Sequence, residues 1–520
     1  MIWVDREVKE IIKRKKKLEW VDDMKTPSGR VHIGSLRGVV VHDMVYKVLI
    51  ENGVNAKYTY VFDDHDPMDA IPSYLEYKKW EKYAGMQLYK IPSPEKGFKN
   101  FARYYADEFI KVFNSIGSYP EIIWASQLYN GGKMNGVIKI ILDNAEKIRN
   151  IYNKAFDKKK PKDWYPFNVV CEKCKKIGTT YVYKWDGKEV YYRCEQKMVA
   201  WAVGCGYEGK TSPYDGNGKL VWRVDWPAKW KVIGITVEGA GKDHMSAGGS
   251  YEIAKIICDK VLSYSAPYPI PYEFFNVRGK KMSSSKGLGV SAKEIAELVP
   301  PSILRFIIVR TPIHKAIDFD TDLDTINKLF DDYDICLNAY FDKIENKIPE
   351  GKKGEVLLDF ARIAELSQVN SLPKKRVYLP RFRTVVNILS NNDDVLRFFE
   401  SHKKSKLTKE EADILNERIR YAKKFIKPMT QKVSKKIKLT KSQIKFLKTI
   451  ADKLKKSDSN DAIEMQNIIF KSLKENSLSP KEAFSSFYMV LTQKPYGAKA
   501  GELIKSIGVS KVIQSFERLK

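Results

Sequence analysis

Two short loops carry the residue types that phosphate chemistry needs. In the first, His32-Ile33-Gly34-Ser35, an imidazole able to donate to a triphosphate oxygen stands beside a glycine that lets backbone approach a nucleotide, and Gly29 lies just upstream. In the second, Arg278-Gly279-Lys280-Lys281-Met282-Ser283-Ser284-Ser285-Lys286-Gly287, ammonium groups alternate with hydroxyls and glycines. Negative charge that builds on a reacting phosphate and on a departing pyrophosphate can be met by such cations and by backbone donors. Singly, each loop has a plainer reading: an ordinary strand-to-helix turn for the first, a solvated basic loop for the second. Gly239-Ala240-Gly241-Lys242 is not a further phosphate loop, because Asp243 stands where a P-loop requires Ser or Thr.

Four of the six cysteines, Cys171, Cys174, Cys194 and Cys205, fall within one stretch. One Cys-x-x-Cys knuckle followed by two later thiols suits a tetrahedral zinc ion, with unligated buried thiols or a redox pair as the alternatives. Cys258 and Cys336 stand alone in helical patterns and read as core thiols.

The elements that must position these groups alternate between strand and helix. Leu18 to Met24 reads as a strand, Leu36 to Glu51 as a helix stopped by Asn52-Gly53, and Lys57 to Phe62 as a strand ending at Asp63, Asp64 and Asp66. A helix from Lys96 to Ile116 and a strand from Glu121 to Ala125 follow. This order predicts a parallel sheet with right-handed crossovers, and the first loop then sits where ligands dock, at a strand's carboxyl end and a helix's amino end. A Lys-, Trp- and Tyr-rich segment carrying the four cysteines interrupts the pattern. Alternation resumes with an expected strand from Lys231 to Val237, a helix from Tyr251 to Leu262 and a strand from Glu273 to Val277, which places the second loop after the last strand of the same sheet. Beyond Ser291 no further strand is expected, only helices joined by Lys-rich loops.

The chain has 520 residues, so several domains are expected. With 92 basic against 64 acidic side chains it carries a formal charge of +28, the footprint of a polyanion-binding protein. Thermal adaptation would explain abundant charge but not the imbalance. No apolar run is long enough to span a bilayer, and the basic start, Lys13 to Lys17, has no apolar segment after it. A cytoplasmic protein that binds nucleic acid is expected, with Met1 to Lys17 as a solvated amphipathic helix.

In this order, His-Ile-Gly and later Lys-Met-Ser-Ser-Ser, the loops resemble the two signatures of class I aminoacyl-tRNA synthetases. Thr26-Pro27-Ser28-Gly29, Gly241-Lys242-Asp243-His244 and Val221-Trp222-Arg223-Val224-Asp225-Trp226-Pro227-Ala228-Lys229-Trp230 narrow the resemblance to the class I lysyl-tRNA synthetases. It covers about residues 18 to 310 strongly and the helical remainder weakly.

The resemblance implies an α/β protein with a Rossmann-type parallel-sheet catalytic domain, an inserted zinc-ribbon-like connective module and a mostly α-helical C-terminal anticodon-binding region. The implied bounds are 1–150 and 221–290 for the two catalytic halves, 151–220 for the module, 291–345 for a helical stem-contact region and 346–520 for the anticodon-binding region. It implies ATP with Mg2+, lysine and tRNA(Lys) as partners, a structural Zn2+ on Cys171, Cys174, Cys194 and Cys205, and no membrane; the oligomeric state stays open, with a monomer the default. His32, Gly34, Lys281 and Ser283 would be catalytic, with Gly29, Ser35, Ser284 and Lys286 also on ATP. Gly29, Asp64, Trp222, His244 and Tyr272 would hold lysine.

Three points stay open. Asp63 or Asp66 could replace Asp64 opposite the ε-ammonium, Tyr268 competes with Tyr272, and Trp222 and Trp226 could simply pack beneath the sheet. Ser35 and Ser284 replace the second His and second Lys of the general class I signatures, and Lys286 could supply the missing cation. The segment Pro92 to Phe109 reads Ser93, Glu95, Phe98 and Tyr105 where some relatives carry another metal site, so no second zinc is expected. A synthetase for another amino acid, such as glutamate, a silent tRNA-binding paralogue, or a short nucleotidyltransferase are the competing functions.

Overall fold

The computed structural model describes residues 1–520 apart from 158, 247, 278–289, 392–393, 433–438, 458–460, 477, 493–495, 498 and 520, and side chains also apart from 427–432 and 506. The chain divides into two compact units, Met1–Arg376 and Val377–Lys520.

At the centre of the first unit is a five-stranded, all-parallel sheet: β1 (Glu19–Lys25), β2 (Ala56–Phe62) and β3 (Glu121–Trp124) from the N-terminal part, β9 (Val237–Gly241) and β10 (Tyr268–Tyr272) from further along. Its order is β10-β9-β1-β2-β3. Both faces are covered, as a parallel sheet requires. On one, the helix Gly34–Glu51 lies over Tyr58, whose hydroxyl donates to Val39 O at 3.1 Å. That helix is buried almost all round from Leu36 to Val45, because the helices Trp3–Lys13 and Pro301–Val309 also pack on it. On the other face lies the helix Trp222–Ile233, whose Trp226 and Trp230 share a core with Ile253 and Ile257.

The helix Phe101–Ser115 begins later than its apolar pattern suggests, because the Asn100 side chain accepts from the Arg103 N–H at 2.9 Å and caps it there. Trp3–Lys13 is amphipathic as expected, burying Trp3, Val4, Val8 and Ile11.

Between β3 and β9 comes the cysteine segment. β4 (Phe167–Val169) pairs antiparallel with β8 (Gly218–Leu220), and β5 (Thr180–Trp185), β6 (Val190–Cys194) and β7 (Glu208–Thr211) form a separate antiparallel sheet. After the main sheet, β11 (Phe275–Val277) pairs in parallel with β12 (Ile317–Phe319). Helices Leu323–Ile344 and Lys352–Ser367 pack together near the end of the unit.

Three sequence expectations are corrected here. Lys231 to Val237 is not a strand: the helix Trp222–Ile233 runs through its first half, Gly234 closes that helix at φ 93°, and β9 starts only at Val237. The strand before the second loop, β11, belongs to the two-stranded pair and not to the main sheet. A strand does occur beyond Ser291, since three residues of β12 suffice to pair with β11 yet are too few to show an alternation.

The second unit is all helical among its described residues, with the core of its later part made by Phe446, Leu447, Ile450, Ile469, Phe487 and Phe516. Among the described residues no helix is long and apolar enough to cross a membrane.

Candidate active site

The chain passes from β1 outward to β2 and β3, then returns to place β9 against the other edge of β1. The carboxyl ends of β1 and β9 therefore diverge at a topological switch point, where open α/β sheets form their ligand crevice. A cleft of about 440 Å³ opens there. β1 contributes Asp23 and Lys25, and β9 contributes Glu238 to Gly241. His32, Gly34 and Ser35 line it from the first loop, Trp222, Trp226 and His244 from the opposite half, and Tyr272 from the end of β10.

The first loop is held by backbone. Ile33 N–H donates to Val290 O at 3.2 Å, and a short bridge joins His32 to Ser291. A Cβ at Gly34 would lie 2.8 Å from His32 Nδ1, so any other residue there would displace the imidazole. Burial, aided by the Lys25 charge, pushes the His32 pKa down to about 3, so the imidazole is neutral at physiological pH. A neutral imidazole carries one N–H donor and one acceptor nitrogen. Among the described residues no side chain caps the helix Gly34–Glu51 behind it, and Gly34 and Ser35 at its positive end line the cleft. Gly29 is buried one residue behind Ser28, which itself lines the cleft. Lys281, Ser283, Ser284 and Lys286 lie outside the described residues; the structure shows β11 leading up to them.

Carboxylates dominate the floor. Asp23, Asp63, Asp225, Glu238, Asp243 and Glu273 line the cleft, against the ammonium groups of Lys25 and Lys229. Asp63 and Asp225 are already matched: Lys229 bridges them, and Asp225 also meets Lys219 at 2.6 Å and accepts from the Tyr129 hydroxyl. Burial still outweighs Lys229 at Asp63 and lifts its pKa to about 6. At Asp225 burial pushes up as well, but the two lysines hold it well below the usual carboxylate range.

Asp23 and Glu238 differ: among the described residues neither makes an ion pair with Lys or Arg. Asp23 lies 3.7 Å from His42 and points to the face of the sheet under the helix Gly34–Glu51. A methyl group on Gly38 of that helix would sit 2.7 Å from both the Asp23 carboxylate and the Tyr272 hydroxyl, so these two groups converge over a glycine. Glu238 points to the other face and accepts from the indole N–H groups of Trp226, at 2.6 Å, and Trp230. Across the β1–β9 register it faces Asp22, which is also fully buried. Burial pushes both well above the ordinary carboxylate range, with the Glu238 charge adding to the rise at Asp22 and the Asp23 charge adding to it at Glu238.

Of the expected lysine contacts, Trp222, His244 and Tyr272 come together here, Trp222 and His244 with ring centroids 5.3 Å apart. Asp64 does not line the cleft. Its carboxylate accepts from Ser126 N–H at 2.7 Å and Ser126 Oγ–H at 2.6 Å, because the chain turns away from the strand after Asp63. Asp66 is engaged by Lys219 at 2.6 Å. Tyr268 and Tyr272 share one side of β10, but Tyr268 is at its amino end and donates to Glu7 at 2.7 Å, whereas Tyr272 is at the carboxyl end where the cleft is. Trp226 packs in the core and also orients Glu238, while Trp222, 41% exposed, stands at the mouth.

Sequence reasoning missed Asp23, Lys25 and Glu238. For Asp23 and Lys25 the available signal was positional, polar residues towards the carboxyl end of β1 beside the switch point; Glu238, second in β9 and level with Asp22, gives no such signal until the strand order is read.

In the inserted module the four cysteine sulfurs lie within 4.8 Å of one another. Cys171 and Cys205 Sγ are 3.7 Å apart, Cys174 and Cys194 Sγ 3.6 Å. A tetrahedron with bonds of about 2.3 Å has edges of about 3.8 Å, so the four thiols fit one tetrahedral ion.

A family model described as tRNA synthetases class I (K) matches residues 1–369. The chain is 33% identical to a lysine–tRNA ligase of Methanocaldococcus jannaschii, with 99% of each chain covered. It is 30% identical to a lysine–tRNA ligase of Methanosphaera stadtmanae, over 99% of this chain and 98% of that one. A lysine–tRNA ligase of Methanococcus maripaludis is 32% identical, with 99% of each covered.

Proposed function

Because the chain belongs to the class I tRNA synthetases of the K type, an ATP-using family, we propose that it is a lysine–tRNA ligase that forms lysyl-adenylate in the cleft between β1 and β9 and transfers lysine to tRNA(Lys). The observation that carries this reading is the composition of the cleft, in which six carboxylates and the Trp222 face surround two ammonium groups. Lysine brings two cations, and a site with surplus negative charge and an aromatic face suits it. Glutamate in the same place would set a carboxylate against Asp23 and Glu238.

Asp23 and Glu238 take the two substrate ammonium groups, with Trp222, His244 and Tyr272 shaping the pocket. His32, Gly34 and Ser35, with Gly29 close behind, hold ATP, whose triphosphate brings Mg2+ as part of the substrate. The lysine carboxylate attacks the α-phosphate and pyrophosphate leaves. The His32 N–H, the helix end behind Gly34, Lys25 and the residues Lys281, Ser283, Ser284 and Lys286 meet the charge that develops. The chain's contribution is positioning and charge stabilisation, with no covalent intermediate on the protein. Cys171, Cys174, Cys194 and Cys205 hold a zinc ion that ties the module together. The helical second unit binds the anticodon arm, and the protein works in the cytoplasm as a monomer.

ATP–pyrophosphate exchange with each amino acid in turn, tRNA present, tests the reading. Lysine is expected to support exchange; exchange with glutamate or another amino acid but not with lysine would overturn it.

A further inference from the structure

A line of alternating charges runs from the end of β2 to the helix Trp222–Ile233. Asp66 pairs with Lys219 at 2.6 Å, Lys219 with Asp225 at 2.6 Å, Asp225 with Lys229 at 2.6 Å, and Lys229 with Asp63. Asp63, Lys219, Asp225 and Lys229 are buried and Asp66 is half-buried. Thr26, just after β1, donates to Asp66 at 2.5 Å. Asp225 is the hub. Both lysines meet its Oδ2, while the Tyr129 hydroxyl donates to its Oδ1 at 2.5 Å and accepts from the Leu220 N–H at 3.2 Å. Lys219 and Leu220 belong to β8, the strand by which the inserted module returns to the catalytic half. Burial works against the Lys219 charge, but Asp225 and Asp66 outweigh it and keep the ammonium protonated. Neither Lys219 nor Tyr129 lines the activation cleft.

We propose that Lys219 and Tyr129 are positioning residues for amino-acid recognition: by holding Asp225 they set the places of Trp222, of Trp226 with its partner Glu238 and, through Lys229, of Asp63. The inference rests on the ligase reading above. Asp225 lies in the first turn of the helix, three residues after Trp222 and one before Trp226. The Trp222 and Trp226 rings are stacked 5.9 Å apart, and Trp226 donates to Glu238 at 2.6 Å. A shift of that one turn therefore moves the aromatic face and the carboxylate of the pocket together. Buried ion pairs contribute little net stability over apolar packing of the same volume, but they penalise every arrangement that separates the charges. Here the arrangement they select is the position of the helix start. Three carboxylates share only two ammonium groups, so without Lys219 the single ammonium of Lys229 would be divided between Asp225 and Asp63.

The test is lysine-dependent ATP–pyrophosphate exchange with the full chain, tRNA present. Lys219→Met is expected to raise the KM for lysine on the order of tenfold, with kcat and the KM for ATP within about threefold of wild type. Lys219→Met combined with Asp66→Asn removes one ammonium and one carboxylate, so the line keeps its net charge; the KM for lysine should stay raised. If Lys219→Met does not fold, this charge-balanced variant is read alone. Tyr129→Phe takes only a hydroxyl from Asp225 and leaves every charge in place, and it should raise the KM for lysine about threefold. An unchanged KM for lysine in the folded variants overturns the proposal, as does a change in kcat or in the KM for ATP as large as that for lysine. A return to the wild-type KM in the charge-balanced variant also overturns it, since the effect would then be one of unbalanced charge. Absence of lysine-dependent exchange in the wild type would instead overturn the ligase reading.

Discussion

Glu238 sits on the strand that returns to the middle of the sheet, with two indoles aimed at it and a second carboxylate, Asp22, across the strand pair. A buried carboxylate is costly without a cation beside it, and under the proposed function the substrate ammonium supplies one. Glu238→Gln should therefore raise the KM for lysine in the exchange assay on the order of 10- to 100-fold, the loss of one charge-assisted hydrogen bond. KM for ATP should not move, and urea unfolding should show no loss of stability; a change in ATP KM alone would place Glu238 elsewhere in the chemistry. His65 makes the opposite kind of prediction. It is fully buried, stacked between Tyr89 and Tyr129, with Nε2 3.2 Å from Gly218 O. Burial, then the nearby Lys219 charge, push its pKa down to about 3, against the influence of Asp225 and Asp66. The unfolded chain binds more protons between that value and about 6.5, so this residue's contribution falls as pH drops, by up to about 1.4 kcal/mol per pH unit. Asp63, raised to about 6, has the opposite slope in its own window and is common to both proteins compared. The advantage of wild type over His65→Phe, from urea midpoints, should shrink between pH 6.5 and pH 4.5; a gap that widens on acidification would mean a protonated His65.

At the level of elements, the helix Gly34–Glu51 ties the first loop to the β11–β12 pair. Its buried Arg37 donates to Phe274 O at 3.0 Å, just before β11, and to the carbonyls of Pro312, Ile313 and Lys315 at 2.8–3.2 Å, just before β12. One turn on, His42 Nε2 accepts from Gly239 N–H at 2.7 Å and so fixes the helix to β9. The helix that follows the first signature thus also holds β11, the strand that precedes the second in sequence. Arg37→Met would leave four carbonyls without their donor and cost about 3 kcal/mol or more of stability. It should also lower kcat for exchange more than it raises the KM for lysine; an unchanged kcat would reduce Arg37 to a structural staple. The cysteine module is the second such element. If the four thiols hold zinc as proposed, Cys174→Ser should lower the zinc content read by a colorimetric assay and depress transfer to tRNA more than exchange, because β4 to β8 contribute none of the residues that line the cleft.

For the whole molecule, an overall charge of +28 sits oddly with a catalytic cleft that is acidic. Under the proposed function the division of labour is electrostatic: the acidic cleft suits a cationic amino acid, and the basic excess elsewhere suits a polyanion. The run Lys432 to Lys438 is a concentrated part of that excess, though 433–438 lie outside the described residues. Replacing Lys435, Lys436 and Lys438 with Ala should weaken tRNA binding and flatten the slope of log Kd against log salt by about 2, at ~0.7–0.9 per phosphate contact. An identical slope would leave this run as a solvated surface.

Much of this was legible without coordinates. The alternation of Tyr58, Tyr60 and Phe62, the stop at Asn52-Gly53 and the spacing of Cys171 and Cys174 are local signals, and local chemistry writes itself into adjacent residues. The order of the two loops and the strings around Trp222 and His244 were enough to indicate the family. What adjacent residues cannot encode is which strand lies beside which. Asp22 and Glu238 become neighbours only because the chain returns to place β9 against β1, and Asp23 meets Tyr272 only over Gly38. The same cause turns Asp64 out of the cleft, where a single turn of backbone hands it to Ser126, and sets Tyr272, not Tyr268, at the cleft end of β10. Burial and the electrostatic field of a site are sums over residues distant in sequence, so they exist only once the sheet has closed.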